Sequence, residues 1–104
     1  MKPEFAVIFT SQRSPGDDGA YLQAAQRMMD LAQLQPGFIK ADSVRDDGGL
    51  GITVSYWSSL KAIDGWKNQV EHLAVQKQGK HKWYQSFTIK VCRIERGSDF
   101  ARGD

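Results

Sequence analysis

Residues 4–12, EFAVIFTSQ, place Phe5, Val7 and Phe9 on one side of an extended chain and Ala6 and Ile8 on the other. The run is rich in Val, Ile and Phe and reads as a β-strand. Both of its faces are apolar, so both must be taken out of water. A chain of 104 residues supplies one hydrophobic core, and its apolar fraction of 40% is that of an ordinary globular domain. How one small domain covers two faces of such a strand is the question that governs the rest of the reading.

After the punctuation of Pro15, Gly16 and Gly19, Asp17 and Asp18 stand where a helix start wants side-chain acceptors and negative charge. Tyr21, Ala24, Ala25, Met28, Leu31 and Ala32 follow at three- and four-residue spacing and form one apolar stripe, which Pro36 and Gly37 stop. The stretch from Phe38 to Trp57 predicts two strands joined at Asp46-Asp47-Gly48-Gly49, since Asp and Gly tolerate the positive φ of a tight hairpin. On the second of them Ile52, Val54 and Tyr56 point one way and Gly51, Thr53, Ser55 and Trp57 the other. Ser58 or Ser59 caps a second helix carrying Leu60, Ile63, Trp66 and Val70, with Gly65 as a weak point, and a further segment ends at Gly79. A last strand spans residues 83–95. Residues 1–96 are expected to form the domain and residues 97–104 a flexible tail.

The order β-α-β-β-α-β is the split pattern of α+β, ferredoxin-like domains. Both helices then lie on one face of a four-stranded antiparallel sheet, and the opposite face has no cover of its own. Because the first strand is apolar on both sides, that face would be a large exposed patch. Pairing two copies sheet to sheet removes it from water, which predicts an isologous homodimer in which Trp57 serves the sheet and the subunit contact. The competing arrangement is a monomer with a half-wet antiparallel sheet.

The bulk properties exclude several partners. A net charge of +2, scattered along the chain, makes no nucleic-acid footprint. No apolar run approaches the roughly 20 residues of a membrane helix, and no secretory leader pattern follows Met1. Cys92 is the single cysteine, so a reducing cytoplasm is the simplest location. His72 and His81 lack the spacing and companions of a metal cage, and no cofactor is expected.

Pro36-Gly37-Phe38 after the first helix, Tyr56-Trp57-Ser58 at a strand end, Trp66 followed by Glu71-His72, and Trp83-Tyr84 opening the last strand together resemble the antibiotic biosynthesis monooxygenase family over residues 3 to 96. The resemblance implies a dimeric α/β barrel of two ferredoxin-like protomers. It further implies a monooxygenase, free of metal and flavin, acting on a small aromatic or quinol-type substrate. Such chemistry needs a base, a shaped apolar cavity and exclusion of water. The cavity of this family lies between sheet and helices, with Trp66 as a wall and Phe9, Met28 and Tyr56 as further candidates for substrate binding. His72 is the candidate base, because an imidazole takes up a proton near neutral pH. It lies six residues beyond Trp66, a net rotation of about 240° on an unbroken helix, so a break is needed for both to face one cavity. A structural role for His72, and a core role for Trp66, account for these residues equally well. Heme-degrading members carry a ligand histidine where this chain has Gln76, and their first-strand asparagine has no match, which disfavours heme degradation. A non-catalytic dimer that binds a small hydrophobic ligand is the alternative, since no nucleophile–base pair or paired carboxylates demand an enzyme.

Overall fold

The structure, a computed structural model, describes residues 4–16, 18–71 and 83–103. Strand β1 (Glu4–Arg13) leads to helix α1 (Asp18–Gln33), strands β2 (Phe38–Arg45) and β3 (Leu50–Trp57), helix α2 (Leu60–Glu71) and strand β4 (Tyr84–Ile94). The strands form one antiparallel sheet in the order β2-β3-β1-β4. This is the ferredoxin-like α+β arrangement that the element order predicts.

The hairpin forms at the expected turn. Gly49 takes a φ of 93°, its N–H donates to the Asp46 carbonyl, and the Leu50 N–H donates to Asp46 Oδ1 at 2.9 Å. Ser59 caps α2, its Oγ accepting the Ala62 N–H at 3.0 Å. The helix continues through Gly65 without interruption to Glu71. At the end of α1, Gly37 adopts a φ of 86° and its carbonyl accepts the Ser58 N–H at 2.8 Å. A Cβ at Gly37 would lie 2.6 Å from that of Ala62, so this glycine lets the turn after α1 pass close to the first turn of α2.

Register decides which side chains meet the helices. Phe5 pairs with Trp57, Val7 with Ser55, Phe9 with Thr53 and Ser11 with Gly51, so these eight residues share one face. Trp57 is fully buried, stacks on Trp66 of α2 at 6.3 Å and meets Phe38 edge-on at 5.3 Å. The helices therefore cover the Trp57 face, and Trp57 belongs to the protomer core. The expectation that it serves a subunit contact is corrected: alternation sorts a strand's residues into two sets but does not say which set the helices take. The opposite face carries Ile8, Val54, Tyr56, Ile52 and Val44, the last two 41% and 71% exposed.

Pairing of β1 with β4 slips by one residue, with Gln12 opposite Ser86 and Arg13 opposite Tyr84. Gln85 is thus an extra residue, a bulge that returns Tyr84 to the helix-covered face. No helix among the described residues is long and apolar enough to cross a membrane. Residues 95–103 form neither helix nor strand.

Candidate functional site

The helix-covered face holds two aromatic groups. At one end Phe38, Trp57 and Trp66 pack together, with Trp57 Nε1 donating to Ser55 Oγ at 2.9 Å. Trp66 is only half-buried, so one part of its indole is held by Trp57 while the rest stays open. At the other end Phe9 packs against Phe87 at 5.5 Å and Tyr84 at 5.7 Å. Phe9 lies four residues along β1 from Phe5, the partner of Trp57, or roughly 13 Å at 3.3 Å per residue. Trp66 and Phe9 therefore bracket a stretch of the same face and are not in direct contact.

Met28 completes the arrangement from above. Helix α1 begins beside the Arg13 end of the sheet and runs back toward Phe38. Its buried stripe includes Ala24 and Ala32, and half-buried Met28 lies midway between them at four-residue spacing. Seven residues from Tyr21, or about 10 Å along the axis, Met28 stands between the two aromatic groups. Phe9, Met28 and Trp66 thus share the layer between sheet and helices.

Tyr56 does not join them. It pairs with Ala6 and Lys40 and faces away from the helices, where the Lys40 Nζ sits 5.2 Å from its ring centroid. Adjacent residues of a strand take opposite faces, so once Trp57 packs on Trp66, Tyr56 cannot. It borders instead a cleft of about 1010 Å³ lined also by Glu4, Ile94 and residues 95–99. The candidate base His72, along with His81 and Gln76, lies outside the described residues. No group of three or more potential metal ligands occurs among the described residues.

A polar cluster occupies the Phe9 end of the face. Buried Arg13 donates from Nη1 to the Trp83 carbonyl at 2.6 Å and lays its guanidinium over the Tyr21 ring at 3.9 Å. Arg45 reaches across Gly51 from β2 to donate to the Gly49 carbonyl at 2.6 Å, and to Ser11 Oγ and Tyr21 Oη at 2.9 Å each. The absence of a side chain at Gly51 is what admits it, since a Cβ there would lie 2.6 Å from Arg45 Nη2. Tyr84 Oη donates to Tyr21 Oη at 3.4 Å. Burial, followed by this hydrogen bond, raises the pKa of Tyr84 above that of a free phenol. Sequence reading passed over this cluster, whose members come from β1, α1, β2 and β4. One signal was available: Arg13 continues the Phe5, Val7, Phe9 set on β1, so a cation stands at the end of an apolar face.

Comparison with known proteins bears on this layout. A sequence model described as antibiotic biosynthesis monooxygenase matches residues 4–78, most of the chain. The chain belongs to the antibiotic biosynthesis monooxygenase family. The family match spans β1 through α2, and so includes Phe9, Met28 and Trp66. A Bacillus subtilis relative, the uncharacterized protein YqjZ, is 46% identical over 94 residues, covering 90% of this chain and 82% of its own length. Among solved structures, a point mutant of SnoaB, a cofactor-independent oxygenase from Streptomyces nogalater, superposes with a TM-score of 0.76 at 12% identity. The match covers 90% of this chain and 95% of that one. Rv0793 from Mycobacterium tuberculosis gives 0.73 at 19% identity, covering 95% and 99%. At such low identity these likenesses speak for the fold.

Proposed function

We propose that this protein is a homodimeric, cofactor-independent monooxygenase of a small aromatic or quinol-type substrate. The substrate lies between sheet and helices, against Trp66, with Phe9 and Met28 closing the site. The observation that carries this reading is the posture of Trp66: stacked on a buried Trp57, half-open, and within the stretch that the antibiotic biosynthesis monooxygenase model matches. A flat indole held in place offers a platform for an aromatic ring at little ordering cost. In such a reaction the electron-rich substrate supplies the reducing electrons to O₂ once a base has removed its phenolic proton. The protein contributes the base and a dry, shaped enclosure. His72, the residue that follows α2, is the base in this reading.

Oxygen uptake with a panel of dihydroxylated aromatics tests the proposal. Uptake should depend on protein, fall at least tenfold in Trp66→Ala, and fall further in His72→Ala. Uptake no greater than that of a His72→Ala control across the panel would remove the enzymatic reading. Thermal stabilisation by the same compounds without uptake would mark a ligand-binding protein instead.

A further inference from the structure

Strand register lays the helix-free face out in rows. Asp42, Val54, Ile8 and Lys90 stand opposite one another in turn and form the middle row. It places an acid on edge strand β2, a base on edge strand β4, and two apolar side chains between them. On one side lies the row Lys40, Tyr56, Ala6 and Cys92, and on the other Val44, Ile52, Thr10 and Thr88. Lys40 Nζ lies 3.7 Å from Asp42 Oδ2, but the two side chains stay 63% and 68% exposed, and such a surface contact fixes neither. Lys90, also exposed, joins no ion pair among the described residues.

We propose that two copies of the chain stack these faces about a two-fold axis parallel to the strands, so that Asp42 of each protomer meets Lys90 of the partner subunit. The orientation rests on the homodimer proposed above and adds to it which edges meet. Two face-to-face arrangements have two-fold symmetry. Turning one sheet over about an axis along its strands sets β2 against the partner's β4 within each row. Asp42 then faces the partner's Lys90 twice over, Tyr56 faces the partner's Ala6, and Ile8 faces the partner's Val54. Turning it about the middle row instead sets β2 against the partner's β2. Asp42 then faces the partner's Asp42, Lys90 the partner's Lys90, and Tyr56 the partner's Ile52. Charge selects the first arrangement, because like charges brought together at an interface are costly. Size selects it too, because a tyrosine packs better against an alanine than against an isoleucine. Facing sheets lie about 10 Å apart and cross at about 30°, which shifts edge residues by roughly one position, a distance the lysine stem spans. The two pairs stand at the rim, so they set orientation more than affinity.

Sedimentation of charge-reversed full-length chains tests the orientation, with folding verified by circular dichroism. Asp42→Lys and Lys90→Asp should each weaken the dimer roughly tenfold, and the chain carrying both should return to within about threefold of the native dissociation constant. In the unmodified protein, a carbodiimide joins carboxylates to amines that touch. A mixture of light- and heavy-isotope chains should then yield Asp42–Lys90 peptide pairs of mixed label, since within one chain these residues stand three strands, or about 14 Å, apart. That measurement decides the matter should a reversed chain fail to fold. A native dimer indifferent to either reversal, or not recovered by both together, would overturn the orientation while leaving the dimer and the Trp66 site in place. So would mixed-label links that omit Asp42–Lys90. A native chain that stays monomeric would overturn the pairing itself, and the orientation with it.

Discussion

Tyr84 shows how one side chain's surroundings reach into the behaviour of the protein. Its hydroxyl is partly shielded from water and bonded to Tyr21, which favours the neutral phenol and raises its pKa above the ordinary value of 10.0. As pH rises past 10, the unfolded chain releases this proton while the folded chain keeps it. The folded state then binds more protons, so stability is full below that pH and declines as the folded value is approached. Denaturant unfolding at about pH 9 and about pH 11 should show a steeper loss for the native protein than for Tyr84→Phe. Equal losses would mean that Tyr84 titrates as a free phenol. Trp57 and Tyr56 teach a different lesson at this scale. Their opposite orientations were legible as alternation in Gly51 to Trp57, but the choice of the covered face was not. That choice depends on how α1 and α2 cross the sheet, a tertiary fact with no local signature.

Among the elements, the turn after α1 sits close against the first turn of α2. Gly37 holds a left-handed φ, puts no side chain into the gap, and offers its carbonyl to the Ser58 N–H. Gly37→Ala would impose both an unfavourable backbone and a Cβ pressed on Ala62. A loss of about 2 kcal/mol or more in urea unfolding is expected, against a gain of up to about 1 kcal/mol for Gly65→Ala inside α2, where nothing lies within 4 Å of the added carbon. Comparable effects at the two glycines would contradict the close approach. The helices and the hairpin were readable because each rests on short-range rules: three- and four-residue spacing, Ser59 as a cap, Asp and Gly at the turn. The cluster of Arg13, Tyr21, Arg45 and Tyr84 was not, because only the assembled sheet brings four distant segments together.

At the scale of the molecule, the helix-free face of the sheet calls for a second copy. Leu50, Ile52 and Val44 remain 48%, 41% and 71% exposed there, beside Ile8, Val54 and Tyr56. Apolar side chains left open on a sheet face, here interspersed with Lys40, Asp42 and Lys90, suit an association surface. Ile52→Lys puts a charge at the middle of that face and away from the helix-covered core, so it should yield a folded monomer by sedimentation velocity where the native chain sediments as a dimer. A native chain that sediments as a monomer at micromolar concentration would refute the pairing.

The bulge in β4 has a consequence of its own. Were β4 to pair in unbroken register, Gln85 would stand opposite Arg13 and Tyr84 would swing to the Tyr56 side, parting it from Tyr21 and Phe9. Deleting Gln85, by contrast, removes the bulge and leaves Tyr84 opposite Arg13. Exchanging Gln85 for another polar residue would leave Tyr84 where it is. The phenol pair therefore depends on where this strand accommodates its one supernumerary residue and not on that residue's identity, so a frame-preserving loss of that codon should spare the pair.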